Sequence, residues 1–281
     1  MTTAPSILPL PGVHRNIEES VYRAWPAVNQ STLKAGETMA HVRYGMDNPR
    51  KTTPAMMMGS ALDFALTDPK GFLDRYALGP EGNRGTKKWD EAQEADSRIL
   101  LKPSEWGDVL GMAESLRRHP AASRLFAAPG DLQVSLLWRD EATGLMCKAR
   151  LDFLPRDLPF VVDLKSTADA SPEAFARTAL NMGYHKQAAW YLDGAAACGL
   201  SVEKFIIPAV EQDAPYPVAV YDLGAASIEL GRIKNREALT AYAHAQKTGV
   251  WAGFSNIVQP LEVPAWALRG IEVDSTFEVI A

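Results

Sequence analysis

The apolar positions in the first half of the chain follow a helical pattern. Between Pro54 and Pro69 they recur at the spacing of one helix face. The two prolines suit the ends of this segment, because proline is tolerated in the first turn of a helix and common just after its last. Four helices are predicted, one short helix after the candidate cap Asn29 and three over 54–68, 86–99 and 103–118. This half is therefore predicted to be mainly helix and loop.

Beyond residue 130 the pattern changes to the alternations and short apolar runs that are typical of strands. The predicted strands cover 132–139, 145–154, 160–166, 202–211 and 216–223, and the predicted helices cover 171–183, 184–198 and 225–248. The strand over 160–166 is expected to be central in the sheet, because it is nearly all apolar apart from one acid and one lysine. The order of these elements predicts an α/β domain with a mixed sheet.

The same pattern predicts the domain organisation. Residues 1–28 are Pro-rich, lack the basic and apolar regions of a signal peptide, and are predicted to form an extended arm. A single domain is predicted over 29–253, with a helical part (29–130) and a sheet-containing core (131–253). Residues 254–281 are predicted to form a C-terminal tail.

Composition narrows the class of protein. An apolar content of 47% and seven tryptophans in 281 residues exclude a disordered chain. No apolar run is long enough to span a membrane. Two isolated cysteines are too few for a disulfide framework or a cysteine-held iron–sulfur cluster, which favours a cytoplasmic protein. The net charge of −5 argues against a general nucleic-acid-binding protein but not against a nuclease, whose metal-binding acids lower the total.

Asp152, Asp163 and Lys165 carry the clearest chemical signal. Side chains two positions apart on a strand point to one face, so Asp163 and Lys165 share a face. A turn at 155–159 would bring the strand of Asp152 alongside. Converging carboxylates repel unless a cation joins them, and oxygen ligands suit Mg²⁺ or Mn²⁺. The pattern predicts metal-dependent phosphodiester cleavage, in which Lys165 would orient or help deprotonate a water, or bind a phosphate oxygen.

A simpler interpretation makes Asp163 and Lys165 a surface pair on an edge strand. The apolar neighbours within 160–164 favour a buried position instead, where two charges without a purpose would cost stability. On a following helix, Gln187 and Tyr191 are one turn apart and share a face. They are either ordinary helix surface or groups that contact a DNA backbone or the residues around the metal.

Taken together, these residues resemble the core of the PD-(D/E)XK nucleases. The resemblance is carried by Asp152, by Asp163-Leu164-Lys165 and by Gln187 with Tyr191, the last pair being typical of the RecB-like branch. A closer similarity, to phage RecE-type exonucleases (exodeoxyribonuclease VIII), is carried by Gly59-Ser60-Ala61-Leu62 before Asp63, Cys147-Lys148-Ala149-Arg150 before Asp152, and Gly183-Tyr184-His185-Lys186 before Gln187. It begins weakly near residue 29 and is strongest over 132–211.

This resemblance implies a PD-(D/E)XK core, with a mixed central sheet flanked by helices and a helical N-terminal region. It implies a Mg²⁺- or Mn²⁺-dependent double-strand DNA exonuclease that acts 5′ to 3′ and leaves a 3′ single strand. Such a protein would form a trimeric or tetrameric ring and pass its product to a RecT-type annealing protein in phage-type recombination. The implied catalytic residues are Asp152, Asp163, Lys165, Gln187 and Tyr191, and the implied metal-binding residues are Asp63, Asp152, Asp163 and Leu164.

Two positions depart from the family pattern. Asp63 stands where family members usually carry a metal-binding histidine, and Gln133 stands where an acid is common. Aspartate is a competent Mg²⁺ ligand, so the site either survives with an altered metal preference or is impaired. An impaired protein would be a binding module for DNA ends or for the annealing protein. A third alternative, an end-processing nuclease similar to the CRISPR-associated four-cysteine nucleases, is disfavoured by the cysteine count.

Five residues are candidates for DNA contacts. Arg150 shares a strand face with Asp152 and can meet the scissile phosphate. Tyr184 lies one turn before Gln187 on the same side of its helix. The basic patch of Arg84, Lys87 and Lys88 lies at a predicted helix start, although such a run of charge is more often a solvated surface.

Overall fold

The computed structural model describes residues 8–269 except 35, 50, 51, 265 and 268. Within these residues a seven-stranded sheet is accompanied by a separate two-stranded sheet. The strands are β1 (Gly12–His14), β2 (Tyr76–Leu78), β3 (Ile99–Leu101), β4 (Gly130–Arg139), β5 (Met146–Pro155), β6 (Phe160–Val162), β7 (Lys165–Thr167), β8 (Lys204–Glu211) and β9 (Val218–Asp222).

Side-chain caps and prolines fix where several helices begin. Asn29, Thr53 and Thr86 each accept a hydrogen bond from a first-turn backbone amide. The helices are α1 (Glu19–Ala24), α2 (Gln30–Leu33), α3 (Met39–Asp47), α4 (Pro54–Thr67), α5 (Pro69–Arg75), α6 (Lys87–Ala95), α7 (Pro103–Arg118), α8 (Pro120–Ala127), α9 (Pro172–Met182), α10 (Tyr184–Ala197) and α11 (Ala225–Thr248). None of these described helices combines the length and apolarity needed to cross a bilayer.

The large sheet is mixed. Strands β1, β4, β5 and β6 are antiparallel to their neighbours in that order, whereas β6 and β7 both run parallel to β8. Val162 pairs with Ile206 and Lys165 pairs with Ala209, so β6 and β7 follow β8 in one register with a break between them. Phe153 pairs with Val162 in an antiparallel register. One position further along this register, Asp152 and Asp163 lie side by side.

Helices cover both faces of this sheet. On one face, α10 and α11 pack with α2 and α3 over a buried cluster that includes Trp138, Trp190 and Phe205. On the other face, α4, α5, α7 and α8 enclose a second cluster that includes Leu164 and Val210 from the sheet. The fold is thus a central mixed sheet between helical layers, as the sequence predicted.

Several local predictions differ from the structure. The helix predicted over 86–99 ends at Ala95, and the chain then forms β3 parallel to β2. The single strand predicted over 160–166 is interrupted at Asp163 and Leu164. The described part of the predicted N-terminal arm contains β1, which pairs with β4, and the helix α1. The described residues of the tail beyond 253 contain no helix or strand, and residues 265, 268 and 270–281 of that prediction lie outside the described chain.

Asp140 joins the β4–β5 turn to α11, and its replacement by asparagine is expected to destabilise the fold. Burial alone would raise its pKa, but hydrogen bonds from Arg236 and Thr143 lower it from 3.8 to about 2. A depressed pKa stabilises the fold at pH values above the unfolded pKa, and that stability is lost as the pH falls towards about 2. We expect Asp140→Asn to lower the free energy of unfolding by about 1–3 kcal/mol near neutral pH.

Urea unfolding of wild type and variant across the acid range measures this effect. The exposed pair between Lys204 and Asp222 provides the control, since Asp222→Asn is expected to cost less than about 1 kcal/mol. A difference between wild type and Asp140→Asn that persists unchanged at the lowest pH would contradict the prediction.

Candidate active site

The residues predicted to act together come from three strands of the large sheet and two helices. The sheet supplies the two acids and the lysine at its centre, and the helices α4 and α10 supply the rest. Asp152 lies on β5, Asp163 directly follows β6, Lys165 begins β7, Gln187 and Tyr191 lie on α10, and Asp63 lies on α4.

The break between β6 and β7 sets the position of Asp163. Its backbone amide still donates to Ile206 of β8, so the chain stays at the sheet through the break. The side chain of Asp163 is fully buried, and that of Leu164 packs into the cluster formed by α4 and α7. A leucine side chain has no atom that can bind a metal ion. The metal-binding role predicted for Leu164 therefore falls to its backbone carbonyl.

Both carboxylate oxygens of Asp163 have polar neighbours. Oδ2 forms an ion pair with Nζ of Lys165. Oδ1 accepts from Nε2 of Gln187 at 2.8 Å, and the same amide nitrogen is 3.1 Å from the hydroxyl of Tyr191. The ammonium of Lys165 also lies 5.0 Å from the ring centre of Tyr184. These contacts join the sheet to α10.

Three carboxyl groups influence one another at this place. Burial raises the pKa of Asp63 to about 7, an effect that Lys165 opposes and Asp163 reinforces. Burial, followed by the charges of Asp163 and Asp63, raises the pKa of Asp152 well above its ordinary value, again opposed by Lys165. Asp63 and Asp152 retain some solvent contact through a cleft, yet protein surrounds most of each side chain. The three acids therefore form one repelling group with a single lysine beside it.

This donor set fits a divalent cation in chemistry and charge. Three carboxylates offer the oxygen ligands that Mg²⁺ and Mn²⁺ prefer, and a cation would relieve their repulsion. In the described part of the chain, however, no three acidic, histidine or cysteine side chains are already arranged to hold an ion. Lys165 and Gln187 contact the two oxygens of Asp163. Asp63, Asp152 and Asp163 would hold the metal after a local adjustment of these side chains.

Asp63 and Asp152 open onto a cleft of about 770 Å³. Asp63, Asp152, Gln187 and Tyr191 line it, whereas Asp163 and Lys165 lie outside its lining. Residues of α1 and α4, the first turn of α2, and the strands β4 and β5 form its walls. The cleft brings an acidic centre and surrounding polar residues within reach of one extended ligand.

The predicted DNA-binding residues fall into two groups. Arg150 lines the cleft two residues from Asp152, on the same strand face. Tyr184 and the patch of Arg84, Lys87 and Lys88 do not line it. Arg84 forms an ion pair with Glu105 and donates to the carbonyl of Leu100, so a structural role accounts for its position. A DNA contact by this patch stays a prediction.

Two cleft residues gain roles that the sequence did not suggest. Lys148 is buried, and its ammonium donates to three carbonyl oxygens at the end of α1. Gln133 has a positive φ of 51° and accepts a hydrogen bond from Nε of Arg150. The role of Lys148 has one indication in the sequence, a lysine between apolar residues on a predicted strand. The left-handed backbone of Gln133 cannot be recognised from the sequence.

Comparison with known proteins agrees with this architecture. Residues 30–261 match the family described as "PDDEXK-like domain of unknown function (DUF3799)". A solved structure of a candidate exonuclease from Eubacterium rectale is similar, with 13% identity and a TM-score of 0.58, over 88% of this chain and 94% of that one. At this identity the likeness shows the fold alone.

Other comparisons add little. A second solved structure, SSO0001, is 19% identical over 48% of this chain and 61% of its own, and its TM-score of 0.28 carries no argument. None of the curated proteins matches the chain. The family match spans most of the chain, including all six residues that meet at the site. The chain therefore belongs to this PDDEXK-like family, within the PD-(D/E)XK nuclease superfamily.

Proposed function

We propose that this protein is a metal-dependent exonuclease acting on double-stranded DNA, 5′ to 3′, in phage-type recombination. The observation that carries the nuclease proposal is the convergence of Asp63, Asp152 and Asp163 beside Lys165, behind a cleft that Asp63 and Asp152 line. Buried acids that repel one another are costly, so their retention at one point favours a catalytic role. Duplex specificity and direction follow from the resemblance to RecE-type exonucleases.

Each residue has a defined task in this proposal. A divalent cation bound by the three acids would supply Lewis-acid chemistry and lower the pKa of a bound water. Lys165 would hold a water or a phosphate oxygen beside Asp163, with Gln187 and Tyr191 fixing the orientation of that carboxylate. Arg150 would bind a phosphate of the DNA backbone from the cleft wall. A ring-shaped oligomer and a RecT-type annealing partner belong to the same proposal.

Purified protein with Mg²⁺ or Mn²⁺ should degrade linear duplex DNA and spare closed circles. A duplex labelled at either the 5′ or the 3′ end tests the direction, because 5′-to-3′ digestion releases the 5′ label first. Light scattering of the purified protein measures the number of subunits. Cleavage of circles at the same rate, or release of the 3′ label first, would contradict the proposed end dependence or direction.

A DNA-end binding module is the second candidate, and two observations favour it. The described acids are not arranged to hold an ion, and Asp63 replaces the histidine usual in RecE-type relatives. Isothermal titration calorimetry with Mn²⁺ separates the two candidates. Binding of Mn²⁺ together with DNA cleavage supports the enzyme, whereas DNA binding without Mn²⁺ binding at millimolar metal supports the module.

A further inference from the structure

The short helix α1 is attached to the sheet by an unusual contact. The ammonium of Lys148 donates to the carbonyl oxygens of Tyr22 at 2.9 Å, Arg23 at 3.0 Å and Trp25 at 2.8 Å. An ammonium has three donor hydrogens, so these bonds use all of them. The acceptors lie in the last turn of α1 and at the residue that follows it, and the carbonyls of Tyr22 and Trp25 also accept from backbone amides. Lys148 thus joins the end of α1 to β5.

This lysine is buried without an acidic partner. Its side chain is 4% exposed, and within the described residues no carboxylate lies at ion-pair distance. Burial, and to a smaller extent the charge of Arg23, lowers its pKa to about 8. A buried cation costs stability, and an apolar residue would fill the same volume without that cost. The position of the ammonium therefore needs a reason other than core packing.

The residue that Lys148 helps to place is Tyr22. The ring centre of Tyr22 lies 4.9 Å from the ammonium of Lys148 and 5.5 Å from the guanidinium carbon of Arg150. Both cations project from the same face of β5, which also carries Asp152. Arg150 donates to Gln133 through Nε at 2.9 Å and to Ser135 through Nη1 at 3.4 Å. Within the described residues its Nη2 has no hydrogen-bond partner, and the side chain lines the cleft.

We propose that Lys148 is a positioning residue that fixes α1 against β5, so that Tyr22 holds the Arg150 guanidinium in place to bind a DNA phosphate. The inference rests on the proposed function for the identity of the ligand. It assigns a separate role to each of three side chains on one face of β5. Lys148 fixes α1 in the wall of the cleft, Arg150 contacts the phosphate, and Asp152 belongs to the acidic centre.

A double-mutant cycle tests this chain of contacts. Binding of a short duplex is measured by fluorescence anisotropy in Ca²⁺, with a gel to verify that the DNA stays intact. Lys148→Met, which keeps the aliphatic stem, and Arg150→Ala should each weaken binding about tenfold. If Lys148 acts through Arg150, Lys148→Met should have no further effect on affinity in the Arg150→Ala background. An equal loss in both backgrounds would overturn the proposal.

Hydrogen exchange gives a readout that needs no DNA. Lys148→Met should increase exchange of the amides over 19–25, whereas Arg150→Ala should leave it unchanged. Tyr22→Leu, which keeps an apolar side chain, should weaken DNA binding with a much smaller change in exchange. Unchanged exchange in Lys148→Met would show that the ammonium does not hold α1, and the proposal would fall. If that variant does not fold, Lys148→Gln, which retains an amide donor, replaces it in both experiments.

The two proposals fail in different ways. A protein that cleaves no DNA, but whose Lys148→Met variant loosens α1 and weakens binding only when Arg150 is present, would refute the nuclease and support the positioning role. A protein that cleaves DNA normally, with Lys148→Met acting independently of Arg150, would refute the positioning role alone.

Discussion

Lys165→Met is expected to lower DNA cleavage by about a thousandfold or more. The ammonium of Lys165 is the cation beside Asp163, and its charge acts on Asp63 and Asp152 as well. Methionine has nearly the same volume but can neither donate a proton nor stabilise an anion. Initial rates on linear duplex DNA with saturating Mg²⁺ measure the effect. A loss of less than about tenfold would remove Lys165 from the catalytic group.

Loss of fold must be separated from loss of chemistry in this experiment. Removing one member of a buried ion pair leaves the other charge uncompensated and costs about 3–5 kcal/mol. The double variant Asp163→Asn/Lys165→Met removes both charges, and we expect it to be more stable than Lys165→Met alone yet equally inactive. Lys204→Met, at an exposed ion pair far along the sheet from Lys165, serves as the matched control and should retain full activity. A stable but active double variant would contradict the assignment.

Much of the site could be predicted because strands have a fixed side-chain period. Alternation placed Asp163 and Lys165 together, and the turn between β5 and β6 placed Asp152 beside them. The break after Val162 was not predictable in this way. The apolar run continues through Leu164, and only the tertiary position of that side chain, packed against α4 and α7, reveals that the strand is interrupted.

The contribution of α1 could not be predicted for a different reason. A helix of six residues has little stability of its own, so its sequence carries a weak signal. Here its end is held by Lys148, which lies more than a hundred positions later in the chain. The extended arm expected for residues 1–28 was predicted from local composition alone. Long-range hydrogen bonds determine the structure of the described part of this segment instead.

The position of Asp63 at the site could not be predicted from residue spacing alone. It lies on α4, far from Asp152 in sequence, and reaches the site because α4 packs on the face of the sheet that contains Leu164. Nothing local distinguishes it from an exposed acid on an amphipathic helix. The resemblance to RecE-type exonucleases pointed to this position, and the charges of Lys165 and Asp163 act on the pKa of its side chain.

Asp63→Asn is therefore expected to weaken Mn²⁺ binding and to lower cleavage by about a hundredfold or more, since a metal centre contributes several kcal/mol to the reaction. Asparagine keeps the shape of the side chain but loses one negative charge and one ligand oxygen. Calorimetry with Mn²⁺ measures the binding, and initial rates measure the activity. Asp68→Asn is the matched control, because Asp68 also lines the cleft but caps α5, a task that asparagine performs equally well.

Asp63→His distinguishes a working site from an impaired one. If Asp63 is a competent ligand, histidine at this position should raise the ratio of Mn²⁺-supported to Mg²⁺-supported cleavage, because imidazole is a poorer ligand for Mg²⁺ than a carboxylate is. The wild type would then already be active, and the exchange would alter metal preference more than rate. Activity that appears only in Asp63→His would instead identify the natural protein as a binding module whose metal site lost its histidine. Unchanged Mn²⁺ binding in both Asp63→Asn and Asp63→His would show that this carboxylate does not touch the metal.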